Sequence, residues 1–167
     1  MNKGGTVGSA PRSDAFNTED VCGRYSRIYI GAITDVLDEM GFRNQCLPSS
    51  IRGLTMDAKV VGFAMTVEGQ ATSSVDPEEV YIPVLKMLGD LQPGDVIVSQ
   101  PNDSISAHLG ELSSEAAQFR GACGAVIDGG GSRHRPHPEA WIPCFLPLLY
   151  AARNYGSVET CCLWSAG

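Results

Sequence analysis

"GDVIVSQPNDSISAHLGELSSEAAQFRGACGAVIDGG", residues 94–130, is the stretch whose reading decides the fold. It opens on a Pro93-Gly94 turn. Val96 to Ser99 follow as a short apolar run, which predicts a buried strand. "AHLGELSSEAAQFRG" then predicts a loop and a helix, stopped by Gly121 at the C′ position. Ala125 to Asp128 predict a second buried strand, and Gly129, Gly130 and Gly131 close it. Strand, loop-helix, strand is a βαβ unit, for which parallel pairing and a right-handed crossover are expected. In open α/β sheets ligands bind beyond the carboxyl ends of the strands. Here two loops lie at that edge, "AHLGELSS" and "DGGGSRH".

Working outward, the N-terminal side of the chain reads as ordinary globular protein. Thr18 is the expected N-cap of a first helix, with Glu19 and Asp20 in its first turn. "GAITDVLDEMG" predicts a second, with Ile33, Val36, Leu37 and Met40 on one face and Gly41 as its stop. "AKVVGFAMTVEG" alternates through Val61, Phe63, Met65 and Val67, the pattern of a half-buried strand. "DPEEVYIPVLKMLG" has Asp76 as cap and Pro77 in the first helical position. Pro83 is expected to kink or interrupt that helix. No internal repeat is visible. Residues 1–17, with no apolar core of the kind a secretory signal carries, read as a flexible leader.

Composition sets the bounds. The chain has 167 residues, 43% hydrophobic and 19% charged, enough for one domain with its own core. A net charge of −7 argues against a nucleic-acid surface. No apolar run is long enough to span a membrane. A cytoplasmic location is therefore expected, with the six cysteines as thiols.

The two loops at the strand ends carry the chemistry. The backbone N–H groups of Gly110, Glu111, Leu112 and Ser113 open a helix and can hold a carboxylate. Arg133, beyond the glycines, is a natural bidentate partner for the same carboxylate. Together they point to a small anionic substrate. Each residue also has a plainer reading. Gly110 can be a turn residue, and Glu111 can serve only to balance the helix dipole. His108 reads as a surface or interface residue, and Asp128 as a cap for its turn. The glycine run lacks the Lys-Ser/Thr of a phosphate loop.

Residues 94–130 as a whole resemble the RraA-like family, which includes the class II 4-hydroxy-4-methyl-2-oxoglutarate aldolases and the regulators of ribonuclease E activity. "AITDVLDEMG" and "VVGFAMTV" are similar to that family's N-terminal blocks, so the resemblance covers about residues 20–131. It implies an α/β fold, a β/β/α swivelling-domain sandwich, assembled as a homotrimer or hexamer with sites between subunits. The activity it implies is cleavage of a 4-hydroxy-2-oxo acid to pyruvate, with oxaloacetate decarboxylation as a second reaction. A divalent cation, Mg or Mn, would stabilise the pyruvate enolate. Gly110 to Ser113 and the signature Arg would hold the substrate, and Glu111 would orient metal-bound water. The alternative within the family is a non-catalytic regulator that binds ribonuclease E.

The resemblance fails at one point. The aldolases carry an acidic residue, twenty positions, then Arg-Asp. Counted from Glu111, that pair falls on 132 and 133, where this chain has Ser132 and Arg133, followed by His134. Arg133 is one place late, and His134 stands near the position of the metal-binding Asp. From there the language of the chain changes. Residues 132–167 hold both Trp, two of three His, three of six Cys and four of ten Pro. They carry a charge of +1, where residues 1–131 have 9 basic and 17 acidic groups. One choice of synonymous codons for "SRHRPHPEAWIPC", read one base later, spells R-D-T-A-H-I-L-K-L-G-F-P-V, which is the family's own continuation. The expectation is therefore a leader over 1–17, an RraA-like domain over 18–131, and an irregular, out-of-frame tail over 132–167. The rival is a zinc site built from His134, His137, Cys144, Cys161 and Cys162, although those spacings match no familiar zinc module.

Overall fold

The computed structural model describes residues 7–8, 17–53, 58–70, 72–103, 105–131 and 144–147. Its elements in chain order are β1 (Val7–Gly8), α1 (Thr18–Tyr25), α2 (Ile30–Glu39), β2 (Ile51–Gly53), β3 (Phe63–Glu68), α3 (Pro77–Asp90), β4 (Asp95–Gln100), β5 (Ala107–Leu109), α4 (Glu111–Phe119), β6 (Gly124–Ile127), β7 (Gly130–Gly131) and β8 (Cys144–Pro147). Six strands form one sheet in the order β1-β3-β4-β6-β8-β2, and β5 and β7 form a second, small one. The four central strands are parallel; β1 and β2 close the edges antiparallel. This is the α/β swivelling-type sandwich, with β4 and β6 adjacent and parallel as the βαβ pattern predicts.

Period-two alternation decides which face is core. Met65, Ile97, Ala125 and Cys144 are in register across β3, β4, β6 and β8. Their exposures are 1%, 2%, 0% and 2%, so this row is the floor of the core. Met87 and Leu88 of α3, Leu91 and Ala117 of α4 cover it, with Leu109 of β5 at one end. Thr66, Val98, Val126 and Phe145 make the neighbouring row on the opposite face. That face is only partly covered, and a cavity of about 520 Å³ opens on it, lined by Leu47, Ile51, Val67, Val98, Val126 and others.

The helices end as the sequence leads one to expect, with corrections. Asn17, not Thr18, caps α1: its Oδ1 accepts from the N–H groups of Glu19 and Asp20 at 3.1 and 3.3 Å. Asn and Thr are both good caps, and the helix takes the one a residue earlier. Asp76 caps α3 through Glu78 N–H at 2.9 Å. The helix runs on through Pro83 uninterrupted for 14 residues. Proline removes one ladder bond at that point, and burial of Met87 and Leu88 beyond it keeps the helix together. Gly41 and Gly121 stop α2 and α4 at φ +87° and +84°. On α2, Ile33 and Leu37 are half-buried, while Val36 and Met40 stay exposed at 54% and 65%.

Two segments expected to be irregular contain strand. Val7–Gly8, inside the expected leader, pair with Thr66 and Val67. An edge strand presents a row of backbone groups with which an extended segment can pair. In the expected irregular tail, Cys144–Pro147 lie between β6 and β2. An apolar Cys-Phe-Leu run suits a slot bounded by strands on both sides, and Pro147 sits at its end, where a missing donor costs least. The rest of 132–167, with both Trp, lies outside the described residues. Among the described residues no helix is long and apolar enough to cross a membrane.

Candidate active site at the strand ends

The site begins where β4 and β6 end. Asp128 N–H donates to Ser99 O at 2.9 Å, which carries the β4–β6 ladder one step past Ile127. The chain then turns at Gly129 and enters β7, which runs parallel to β5 with Ala107 opposite Gly130 and Leu109 opposite Gly131. Two residues past Leu109 is Glu111; two residues past Gly131 is Arg133. The small parallel sheet therefore sets Leu109 and Gly131 side by side.

On the first of these loops the start of α4 is tightly built. Gly110 is extended, at φ −115°. Its N–H donates to Ser113 Oγ at 2.9 Å. Its carbonyl accepts from Ser113 Oγ, Ser114 Oγ and Ser114 N–H at 3.1, 2.8 and 2.9 Å. Ser114 is 1% exposed, so this knot is anchored in the core. The Gly110 peptide is thereby committed, which corrects the expectation that its N–H is open to a ligand. The first-turn N–H groups of Glu111, Leu112 and Ser113 have no acceptor within the helix by its geometry. They stand beside the exposed Glu111 side chain, with Leu112 exposed and Ser113 half-buried. These three donors, not four, are the ones left at the start of α4 that could hold an anion.

Asp103 and His108 are the site features that sequence reasoning missed. The Asp103 carboxylate accepts from Ile105 N–H at 2.8 Å and Ser106 N–H at 3.2 Å. The Ser106 hydroxyl first, and then the Ile105 N–H, holds the Asp103 carboxyl below its ordinary 3.8. His108 is not a free surface group. Its side chain is 22% exposed, and Nε2 donates to Asp103 O at 2.9 Å and lies 3.6 Å from Asp103 Oδ2. The "PND" turn signal marks such an Asx turn, but nothing in the sequence says that a histidine five residues later folds back onto it.

Asp128 is exposed, and the bond that fixes its turn comes from its backbone N–H. Its residue also lines the cavity on the far face, a cavity that none of Gly110 to Ser113 lines. Arg133 and His134 lie outside the described residues. Glu111 supplies a hard oxygen donor of the kind Mg and Mn prefer, and Mg commonly takes one or two carboxylates with substrate oxygens and water. Among the described residues no group of three or more His, Cys, Asp or Glu is placed to hold a metal. The zinc reading loses Cys144, which belongs to the core and whose thiol burial pushes up to about 12.

A parallel four-strand core, a small sheet at its C-terminal edge and a serine-tied helix start between them define a fold class, and comparison with known proteins agrees. The chain belongs to the RraA-like (Aldolase/RraA) family, whose model matches residues 30–141. A structure of RraAS2 from Streptomyces coelicolor, described as an unusual member of the RNase ES inhibitor RraA family, is 25% identical with a TM-score of 0.67. It aligns over 81% of this chain and 65% of its own. A structure described among novel cellulases from microbes associated with the gut ecosystem is 25% identical, TM-score 0.71, over 84% of this chain and 63% of its own. The RNA-processing inhibitor RraA from Thermus thermophilis shares the fold at 21% identity, TM-score 0.52, over 68% of this chain and 64% of its own. This chain thus spans just under two thirds of the length of these neighbours. Among curated proteins none matches.

Proposed function

We propose that this protein is a class II pyruvate aldolase of the RraA-like family. The substrate is a 4-hydroxy-2-oxo acid of the 4-hydroxy-4-methyl-2-oxoglutarate type, and oxaloacetate is decarboxylated at the same site. One observation carries the reading. The β5–β7 ladder pairs Leu109 with Gly131, and in the sequence Glu111 and Arg133 each follow two residues later. On this reading a planar 2-oxo carboxylate is held between a helix N-terminus and a guanidinium. The N–H groups of Glu111, Leu112 and Ser113 bind and orient the carboxylate. Arg133 pairs with it bidentately, Glu111 would orient water held by the metal, and a water near the Arg returns the proton to the enolate carbon. A bound Mg or Mn ion would supply Lewis-acid stabilisation for the enolate. Glu111 is the described residue suited to its shell, and His134, near the family's Asp position, is a poor substitute for a hard carboxylate.

For that reason the chain as written is a slow enzyme. The proposal includes an out-of-frame origin for residues after about Gly131, which moves the Arg by one place and removes the Asp. A homotrimer or hexamer is part of the same reading. Tyr29 and Ile30 at the start of α2 are 81% and 61% exposed, apolar surface that a neighbouring subunit would cover. The test is pyruvate release from oxaloacetate and from 4-hydroxy-4-methyl-2-oxoglutarate, with Mg or Mn added. The chain as written should show weak release. A gene restored to the Arg-Asp frame should show strong release, and E111Q in that background should lose about 10²-fold in rate. Metal-dependent turnover by the unaltered chain as fast as by the repaired one, or a repaired chain with none, would overturn the reading. The second reading, a surface-acting ribonuclease regulator in the cytoplasm, is favoured by the RNase ES inhibitor family of RraAS2. Inhibition of ribonuclease E by the repaired protein with E111Q still in place would support it.

A further inference from the structure

The second face of the main sheet is left unused by the proposed reaction. Thr66, Val98 and Val126 are in register across β3, β4 and β6 and face away from the core row. They floor the cavity of about 520 Å³. One wall comes from the turn ahead of β2, where Ile51 N–H donates to Pro48 O at 2.9 Å and Leu47 and Ile51 add apolar surface. Sites for small organic molecules commonly run from about 300 to about 1,000 Å³, so the size suits one. One end of the floor is polar. Glu68 and Gln100 pair in register two residues beyond Thr66 and Val98. Asp128 stands two residues beyond Val126, and its N–H donates to Ser99 O, so it continues the same row beside Gln100. All three line the cavity. Neighbouring strands lie about 4.8 Å apart, so two carboxylates flank the Gln100 amide on either side. Gln100 Nε2 donates to Asn102 Oδ1 at 3.4 Å, and Asn102 Nδ2 donates to Gly69 O at 2.9 Å. The loops after β3 and β4 are thereby tied together at this rim, and the Gln100 amide oxygen is left to accept.

We infer that this cavity binds a small primary amine with an apolar body, its ammonium held among Glu68, Gln100 and Asp128 and its apolar part over Val98 and Val126. Charge decides the class. The described residues that line the cavity include two carboxylates and no Lys, Arg or His. An anion is repelled at such a rim, and a neutral molecule leaves the carboxylates without a counter-charge. An ammonium has three donors and no acceptor, which matches three side chains that each present an oxygen. Two residues of strand separate the polar row from the apolar one, a step of about 7 Å, so a short link between charge and apolar body spans them. The inference does not rest on the aldolase reading, because none of Gly110 to Ser113 lines this cavity.

Phenylethylamine is the probe, titrated into the full chain and followed by backbone amide chemical shifts. Phenylethanol and phenylpropionate carry the same ring with no charge and with a negative one. The amine should bind saturably, shift Val98, Ser99, Gln100 and Asp128, and bind about tenfold more tightly than the alcohol, with the acid weakest. E68Q and D128N should each weaken the amine about threefold, as loss of one exposed charge pair does. The double variant should bind amine and alcohol alike. A second arm needs no variant: raising salt to about 0.5 M should erase most of the amine's advantage in the wild-type chain and leave the alcohol unchanged. No saturable shift with the amine, shifts confined to other residues, or an acid that binds as tightly as the amine would overturn the inference. An amine preference that survives both the double variant and high salt would overturn it too. So would shifts at this face that follow protein concentration and not the amine, which would mark a second copy of the chain as its occupant.

Discussion

Replacing Ile97 by Ala tests the face assignment on which the whole fold rests. Ile97 is 2% exposed and sits in the core row between Met65 and Ala125. The substitution removes three carbon groups, about 2.4 kcal/mol at about 0.8 kcal/mol each. A void of about 60–80 Å³ that fails to collapse adds roughly 1.5–2 kcal/mol at about 24 cal/mol per Å³. The expected loss is therefore about 2.5–4.5 kcal/mol. Val98, the next residue along β4, faces the cavity side and is half-buried. Val98→Ala removes two carbon groups that already border open space, so it should cost about 1 kcal/mol or less. Urea unfolding followed by far-UV circular dichroism gives both numbers, provided the slope is shared so that midpoints convert directly to free energy. If V98A costs more than I97A, β4 is turned the other way. A one-residue slip in register would do that, and would move every core residue of the strand to the wrong face.

Other consequences follow from single residues. Gly121→Ala should cost at least about 1–2 kcal/mol, measured by the same unfolding assay, because φ is +84° and the new Cβ would lie 2.9 Å from Pro93 Cα. Asn17→Ala should cost about 1 kcal/mol by loss of the α1 cap, and Asn17→Ser much less. The Cys144 thiol is raised from 9.0 to about 12 by burial. The unfolded thiol ionises from about pH 9 while the folded one stays protonated, so the unfolded state binds fewer protons between those values and stability falls as pH rises. That contributes up to about 4 kcal/mol of loss by pH 12, and Cys144→Ala should flatten the slope. Native protein at pH 8 should likewise leave Cys144 unlabelled by a thiol reagent that modifies the exposed Cys46.

The parts of the fold that sequence made legible are those where local pattern and burial coincide. Alternation through Phe63, Met65 and Val67 matches the burial along β3, and the two apolar runs flanking α4 are the parallel pair in the centre of the sheet. Elements whose existence depends on a partner's edge were not legible. Val7–Gly8 have no strand pattern of their own and pair because β3 has a free side. β5 and β7 are three and two residues long, and they exist because the two loops meet. The site divides the same way. Glu111 and the helix start stand out in the sequence because capping chemistry is local. The commitment of Gly110 N–H to Ser113 Oγ is local too, but it competes with ligand binding, and only geometry says which wins. The His108–Asp103 bond and the close packing of Gly129 against Pro101 and His108 join residues distant in the chain, and they lie in contacts rather than in spacing.

β8 bears on the tail in a way that the genetic code makes explicit. Cys144 fills the last place of the core row, 2% exposed beside Ala125. The slot therefore asks for a small apolar side chain, and a large or charged one would be excluded by the packing. Both codons for Cys begin with T-G and end in T or C, and both codons for the following Phe begin with T. Read one base later, the pair yields Val or Ala at that place, again small and apolar. The slot is thus filled acceptably in either frame, and a strand at 144–147 does not by itself argue for selection of the residues around it. The residues that do differ in kind between frames are 132 and 133, Ser-Arg in one and Arg-Asp in the other. The core tolerates the change because it reads only size and polarity. The proposed site does not, because on that reading it depends on a guanidinium at 132 and a carboxylate at 133. Reading the gene across the codons for Gly129 to Gly131 decides between the frames. An extra base there, with the Arg-Asp frame open beyond it, is the expected result, and an uninterrupted frame encoding Ser132-Arg133-His134 in the source genome would refute it.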